Sequence, residues 1–304
     1  MLLLVKYTLL YMVVLMMVAL GGMFSERSGI INIALEGIMV VGGLAGVLAA
    51  KFLATAPFWT VTLSILAAGL AGMLYALLLG YASINLKADQ TIGGTALNIM
   101  ATAIAMVIAK RINGTQAPKL DYSNAPFLFN IGGLELNVFI PLGIVLLLCS
   151  YFILYKTRLG LRLRSCGEHP QAAASVGVNV YKMRYIGVMA SGFLGGIGGL
   201  AYVLPAVSIW NFEQGVTGMG FLALAVMIFG QWKPFRIFLA AIFFSLFRAM
   251  ANIADSFPVL KDLNWPKEIY NMMPFITSMI VLALTSKKSR APKAEGIPYD
   301  KGAR

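Results

Sequence analysis

The sequence contains few charged residues: Asp, Glu, Lys and Arg together make up 12% of its 304 residues. Soluble domains carry about 25%. Hydrophobic residues make up 59% of the chain, and the mean hydropathy is +0.81. Several apolar stretches reach the ~20 residues that a helix needs to cross a bilayer. Their continuity excludes a membrane β-barrel, whose strands alternate apolar and polar residues. The composition therefore predicts an all-α, polytopic transmembrane helical bundle.

The sequence is also poor in the residues that perform chemistry. It has one histidine and two cysteines, and Cys149 lies in an apolar run while Cys166 lies in a polar one. Two such cysteines support neither a disulfide framework nor a metal site. The glycine pair Gly93-Gly94 lacks the Lys and Ser/Thr that a phosphate-binding P-loop requires. These absences exclude ATP hydrolysis by this chain and argue against a membrane enzyme, and they imply no cofactor.

Acidic residues are half as numerous as basic ones, 12 against 24, which gives a net charge of +12. The basic residues concentrate in 156–184, at Lys233 and Arg236, and in a tail at 287–304. Short basic loops stay on the cytoplasmic side of a membrane, so this pattern indicates membrane orientation rather than nucleic-acid binding.

These orientation signals predict a transmembrane domain at 1–286 with about nine spans (eight to ten), the N-terminus outside and the C-terminus inside. The polar stretches 110–137 and 254–268 would be outer loops. One polar break, 25–37 or 85–95, could instead be a half-helix inside the membrane, which would change the span count. The spans lie near 7–24, 30–50, 59–84, 92–108, 138–155, 185–207, 220–230, 234–253 and 269–285.

The segment 156–184 contains a short helix that is marked by its ends. Pro170 suits the first position of a helix, where no backbone N–H is needed. An alanine run follows, and Gly177 can end the helix in the left-handed conformation. Such a helix is a docking site for a soluble partner, or else the segment is an ordinary basic loop that only fixes the topology.

Polar residues inside apolar stretches are the candidates for a transport path. Asn32 and Glu36 are four residues apart, which would place them on one face of a helix. Arg27 is the nearest possible partner for Glu36. Asn98 lies in the body of a span, and Trp210 lies in a short outer or re-entrant stretch at 209–219. Each of these side chains either lines a path or ties helices together.

Several motifs, in this order, resemble the permease subunits of ABC importers for simple sugars, nucleosides and branched-chain amino acids. They are RSGIINIALEG (27–37), the polar turn 85–98, TRLGLRLRSCGEHPQAAASVGVNV (157–180), SGFLGGIGGLAYVL (191–204) and GMGFLALAVMIFGQWKPF (218–235). The resemblance covers roughly residues 20–285. The first two motifs look closer to nucleoside-type permeases than to ribose or branched-chain amino acid permeases.

The resemblance implies that 156–184 is a coupling segment that docks on a separate ATP-binding subunit. The residues it assigns to this contact are Gly167, Glu168, His169, Pro170, Ala172, Ala173 and Gly177. It also implies a second permease subunit, an external substrate-binding lipoprotein and a bacterial cytoplasmic membrane. A purine nucleoside is the expected substrate; a simple-sugar permease is the alternative. A self-sufficient secondary transporter or a channel is a further alternative, although few ionisable residues lie within the spans.

Overall fold

The computed structural model describes residues 2–53, 56–114, 117–131, 134–206, 209–253, 267–285 and 291–301. Most of the predicted loop 254–268, and the start of the tail at 286–290, lie outside these residues. The helices are α1 (Leu2–Arg27), α2 (Leu35–Phe52), α3 (Pro57–Ile84), α4 (Gln90–Asn113), α5 (Phe139–Lys156), α6 (Arg158–Glu168), α7 (Pro170–Ser175), α8 (Val180–Ala206), α9 (Met219–Phe229), α10 (Pro234–Ile253) and α11 (Lys267–Thr285).

By length and composition, eight stretches among the described residues could cross a bilayer. They are α1 to α5, α8, the stretch Phe212–Phe229 that contains α9, and α10. Eight lies within the predicted range of eight to ten spans, so the prediction of a polytopic helical bundle is confirmed. Helix α11 lies at the position of the last predicted span, 269–285. The second span differs in its start: α2 begins at Leu35, because residues 28–34 form a turn after α1.

In the part of the chain that the structure describes, four short strands lie between the helices, in regions that the sequence predicts to be loops or a re-entrant stretch. Strand β1 (Lys119–Asp121) pairs antiparallel with β4 (Ile209–Asn211), and β2 (Leu128–Ile131) pairs with β3 (Leu134–Asn137). Lys6, near the start of α1, forms a salt bridge with Glu135 of β3. The strands therefore lie at the end of the bundle where α1 begins, opposite α6 and α7.

Helix α8 lies in the centre of the bundle, where it packs against α1, α2 and α3. Its glycines allow the backbones to touch, as small residues do in membrane helices. A Cβ atom added at Gly196 would lie 2.2 Å from the carbonyl oxygen of Ala68 in α3. A Cβ atom added at Gly42 of α2 would lie 2.3 Å from the Cα atom of Gly196. Three helices therefore meet at Gly196 with no room for a side chain.

We expect Gly196→Ala to destabilise the folded protein by about 3 kcal/mol, because the added methyl group overpacks a backbone contact. The matched control is Gly93→Ala in α4, where the nearest outside atom, Leu79 Cδ1, lies 3.9 Å from the added Cβ. The control should leave stability unchanged or raise it slightly. Thermal unfolding in detergent checks both variants. Equal midpoints for Gly196→Ala and the parent chain would contradict the packing described here.

Candidate functional site

The Glu36 carboxylate, in the first turn of α2, accepts hydrogen bonds from the start of α9. The backbone N–H of Gly218 donates to Oε1 at 2.8 Å, and the N–H of Gly220 donates to Oε2 at 2.6 Å. Gly220 allows this approach, since a Cβ atom there would lie 2.5 Å from the Glu36 backbone nitrogen. Free N–H groups and the helix dipole make a helix N-terminus a natural site for an anion. Glu36 therefore joins two helices that are distant in the sequence.

Helix α9 is too short to cross a membrane by itself. It has 11 residues, which correspond to about 16 Å, against a hydrocarbon thickness of about 30 Å. The connection from β4 to Gly218 supplies the rest of the crossing. The breaks at 25–37 and 85–95, where the sequence allows a half-helix, instead contain the turns between α1 and α2 and between α3 and α4. The short helix α9 matches the short span predicted at 220–230.

The connection before α9 has an unusual backbone at Thr217, a β-branched residue with φ +52°. Such a conformation costs on the order of 1–3 kcal/mol and persists only where the surroundings hold it. The Thr217 hydroxyl oxygen lies 2.7 Å from the Tyr202 hydroxyl oxygen and accepts from Arg248 Nη2 at 3.1 Å. This polar cluster beside the start of α9 was not predicted from the sequence. The one sequence signal for it is Arg248, a charged residue within an apolar span.

Asn98 of α4 holds the start of α2 in place. Its Oδ1 atom accepts from the Gly37 N–H at 2.7 Å, and its Nδ2 atom donates to the Ile33 carbonyl at 2.9 Å. The amide thus satisfies backbone groups that a helix start leaves free. Of the two roles that the sequence allows for Asn98, the structure supports the tie between helices, while the side chain also borders the cavity described below.

The predicted helical pairing of Asn32 with Glu36 is wrong. Asn32 precedes α2 and is fully buried, and its Nδ2 atom donates to Ser191 Oγ of α8 at 2.8 Å. The predicted partner of Glu36, Arg27, is also wrong. Arg27 lies 3.5 Å from the Glu168 carboxylate and donates to the Trp232 carbonyl at 3.2 Å. The break between α1 and α2 turns the chain, and this separates side chains that a continuous helix would align.

A cavity of about 590 Å³ opens beside Glu36, between α4 and the start of α9. Its walls are mostly apolar, with one carboxylate, one amide and two hydroxyl groups. Mostly apolar walls with a few placed polar groups are typical of sites for small organic molecules. Glu36 and Asn98 therefore lie on one cavity, as the sequence predicts for a path. The lining residues are Glu36, Thr95, Asn98, Thr102, Ile99, Ala103, Met106 and Phe221.

Trp210 does not line this cavity. Its ring is 5% exposed, lies against Phe212 with a centroid separation of 4.1 Å, and approaches the backbone of Gly43 in α2. The indole N–H donates to the Gly215 carbonyl at 3.0 Å. In this structure Trp210 braces the connection that leads to α9, and contact with a substrate stays a prediction.

The short helix expected at Pro170 is present as α7, six residues from Pro170 to Ser175. Pro170 occupies the first turn, and Gly177 follows with φ +84°. The Ala172 N–H donates a long hydrogen bond, 3.5 Å, to Nδ1 of His169, so His169 caps the start of α7. Pro170 and Ala173 face inward, whereas Ala172 and Gly177 are exposed. The exposed side of α7 is therefore free to meet another protein.

Helix α6, which the sequence reasoning missed, supports α7 on the bundle. Leu163 and Cys166 are buried, while Arg158 and Arg162 are exposed. A Cβ atom at Gly167 would lie 2.3 Å from the Arg27 carbonyl oxygen. Gly167 is therefore buried against the end of α1, whereas Glu168 is exposed and pairs with Arg27. Contact of either residue with an ATP-binding subunit stays a prediction.

The fold and this site define an integral membrane protein of the transport class: a helical bundle with a cavity beside a half-helix and a small helix at one end. The chain belongs to the family described as the branched-chain amino acid transport system / permease component, whose model matches residues 4–284. No solved structure matches the chain.

Three named permeases are similar to this chain. It is 41% identical to the guanosine ABC transporter permease protein NupQ of Bacillus subtilis, over 99% of this chain and 97% of that protein. It is 40% identical to the nucleoside ABC transporter permease protein NupC of Lactococcus lactis, over 96% and 95%. It is 26% identical to a second permease of that organism, NupB, over 62% of this chain and 53% of that protein.

Proposed function

We propose that this chain is the membrane-spanning subunit of an ABC importer for nucleosides, with purine nucleosides as substrates. The similarity to two permeases named for guanosine and nucleosides supports the substrate class. The observation that carries the proposal within the molecule is the Glu36 carboxylate, which lies on a cavity at the start of a half-helix. Discontinuous helices at the centre of a membrane protein commonly mark a substrate path.

The chemistry of the cavity suits a nucleoside. The flat base can lie on apolar walls formed by Ile99, Met106 and Phe221. The ribose hydroxyls and the base edge need donors and acceptors. The Glu36 oxygens accept bonds from the start of α9 and have a further lone pair, and Nδ2 of Asn98 has a second hydrogen beyond the one given to the Ile33 carbonyl. The Thr95 hydroxyl donates within its own helix, 3.0 Å from the Thr91 carbonyl oxygen, so towards a substrate it can only accept.

The energy for uptake would come from a separate ATP-binding subunit that docks on α7. Closure of that subunit on ATP would move α7 together with α6, and the bundle would change the side to which the cavity opens. For this to happen, the partner must bind the two states of the bundle with different affinity. The bundle end that carries α6 and α7 would face the cytoplasm of a bacterium, and the C-terminus would lie on the same side.

A complete path requires a second permease, and we propose a paralogue rather than a second copy of this chain. Lactococcus lactis has two permeases named for nucleosides, and this chain resembles NupC more closely than NupB. A lipoprotein outside the membrane would deliver the substrate. The strands β1 to β4 lie at the outer end in this orientation and would be the surface that it meets.

Uptake into vesicles that carry the complete transporter tests the substrate class. We expect ATP-dependent uptake of labelled guanosine, inhibited by unlabelled adenosine and unaffected by a large molar excess of ribose. The reason is that ribose lacks the base, which would make most of the apolar contact. Ribose uptake with no response to guanosine or adenosine would overturn the proposed substrate.

A further inference from the structure

The end of the chain packs against the coupling segment. Residues 291–301, here called the tail segment, form backbone contacts with two separate parts of the bundle. The Ala294 N–H donates to the Gly167 carbonyl at 2.8 Å, and the Gly296 N–H donates to the Gly29 carbonyl at 3.2 Å. Gly296 has φ +76°, and a Cβ atom there would lie 2.8 Å from the Ile31 side chain. The tail segment thus has one defined position, between the end of α6 and the turn after α1.

The tail segment also covers ionisable groups at this end of the bundle. Arg184 of α8 is 1% exposed, and its Nη2 atom donates to the Ile297 carbonyl at 3.0 Å. Glu295 lies close to Glu26 at the end of α1, and burial raises the pKa of the Glu295 carboxyl. The buried Arg184 guanidinium would lose an acceptor if the tail segment left, so its bond to Ile297 stabilises the docked tail segment.

One aromatic residue of the tail segment, Tyr299, packs beside α7. Tyr299 is 6% exposed and belongs to a small apolar cluster, separate from the main core, with Cys166 of α6 and Ala173 of α7. Its ring also meets the Tyr181 ring of α8 edge-on, at a centroid separation of 5.3 Å. The inner side of α7 is therefore supported by the same cluster as the tail segment.

The outer side of the tail segment continues the exposed surface of α7. A cavity of about 300 Å³ lies between the two, lined by the turn after α7 and by Tyr299 and Lys301 of the tail segment. The apolar side chains exposed at this end of the bundle include Val176, 78% exposed, directly after α7, and Ile297, 57% exposed, in the tail segment. A concave site with apolar residues beside it, outside the membrane-spanning part, fits a protein surface.

We propose that the tail segment and α7 together form the docking surface for the ATP-binding subunit. This inference rests on the proposed function, and it assigns the tail segment two roles. Tyr299 packs on the buried side of α7 and holds it in position. Lys301 and the exposed part of the tail segment contact the ATP-binding subunit directly. The docking site is thus a composite of two chain segments that are more than a hundred residues apart.

Site-specific photo-crosslinking in the complete transporter tests the direct contact. A photoreactive residue replaces Val176, Lys301 or, as a control at the opposite end of the bundle, Lys110. We expect crosslinks to the ATP-binding subunit from positions 176 and 301 and none from 110. Crosslinks from 176 without any from 301 would overturn the composite surface and leave the proposed function standing. Absence of crosslinks from both 176 and 301 would overturn the composite surface and the proposed docking on α7 together.

The supporting role of Tyr299 has its own test. We expect Tyr299→Ala to lower the amount of ATP-binding subunit that co-purifies with the permease by about tenfold, about 1.4 kcal/mol of binding free energy. Tyr299→Phe keeps the ring and should co-purify with as much ATP-binding subunit as the parent chain. Membrane insertion and recovery of the second permease should not change in either variant. Unchanged co-purification of the ATP-binding subunit with Tyr299→Ala would contradict the supporting role.

Discussion

Replacing Glu36 with alanine is expected to reduce nucleoside uptake on the order of 100-fold while leaving insertion into the membrane intact. The substitution removes a carboxylate that accepts from the N–H groups of Gly218 and Gly220. Hydrogen bonds to a charged group are worth about 1.5–3 kcal/mol each, and the donors left behind lose their partner at a site away from bulk water. Initial uptake rates in vesicles with the complete transporter measure the effect.

Two further variants separate a specific role of Glu36 from a general loss of charge. Glu36→Gln keeps one acceptor oxygen and should retain part of the activity, because one of the two N–H groups is still satisfied. Glu213→Gln is the matched control: it removes an exposed carboxylate from the same connection before α9 and should leave uptake unchanged. If Glu36→Ala transported at the parental rate, Glu36 would be excluded from the path and from the control of α9.

The second large effect is expected from Val176→Arg at the end of α7. Val176 is 78% exposed, so arginine is accommodated without disturbing the bundle. At a docking surface, however, a buried charge without a partner costs several kcal/mol. We expect the ATP-binding subunit to be lost from the purified complex and ATP-driven uptake to stop. Quantitative co-purification and uptake assays on the same preparations measure both.

The control for this variant is Leu53→Arg, which places the same charge on an exposed residue at the opposite end of the bundle. It should leave the complex intact. Ala173 is unsuitable for such a test, because its side chain is 4% exposed and an arginine there would disrupt the packing of α7 itself. Normal recovery of the ATP-binding subunit with Val176→Arg would refute docking on the exposed side of α7.

Local signals in the sequence were sufficient for the membrane spans and for α7, but not for α6. Uninterrupted apolar stretches indicate the spans, and Pro170 with Gly177 marks the two ends of α7, because helix ends are governed by residues that are adjacent in the sequence. The short apolar stretch at 220–230 likewise predicts a short helix, which the structure shows as α9. The confirmed part of the fold is thus the part that depends on short-range physical chemistry.

The polar contacts of the candidate site could not be predicted from local sequence signals. Glu36 pairs with the start of α9, about 180 residues further along, and Asn32 pairs with Ser191. No periodicity in the sequence records such contacts, because they depend on how the helices pack. The tail segment is a similar case: its composition indicates a basic tail, whereas its fixed position depends on contacts with Gly29, Gly167 and Arg184.

The most direct test of an ATP-driven path through this chain is solute accumulation in vesicles of defined composition. One set holds this chain with the second permease, the external lipoprotein and the ATP-binding subunit; the other set omits only the ATP-binding subunit. We predict accumulation of guanosine above the external concentration in the first set with ATP, and none in the second. Concentrative uptake by vesicles without the ATP-binding subunit would contradict the proposed function.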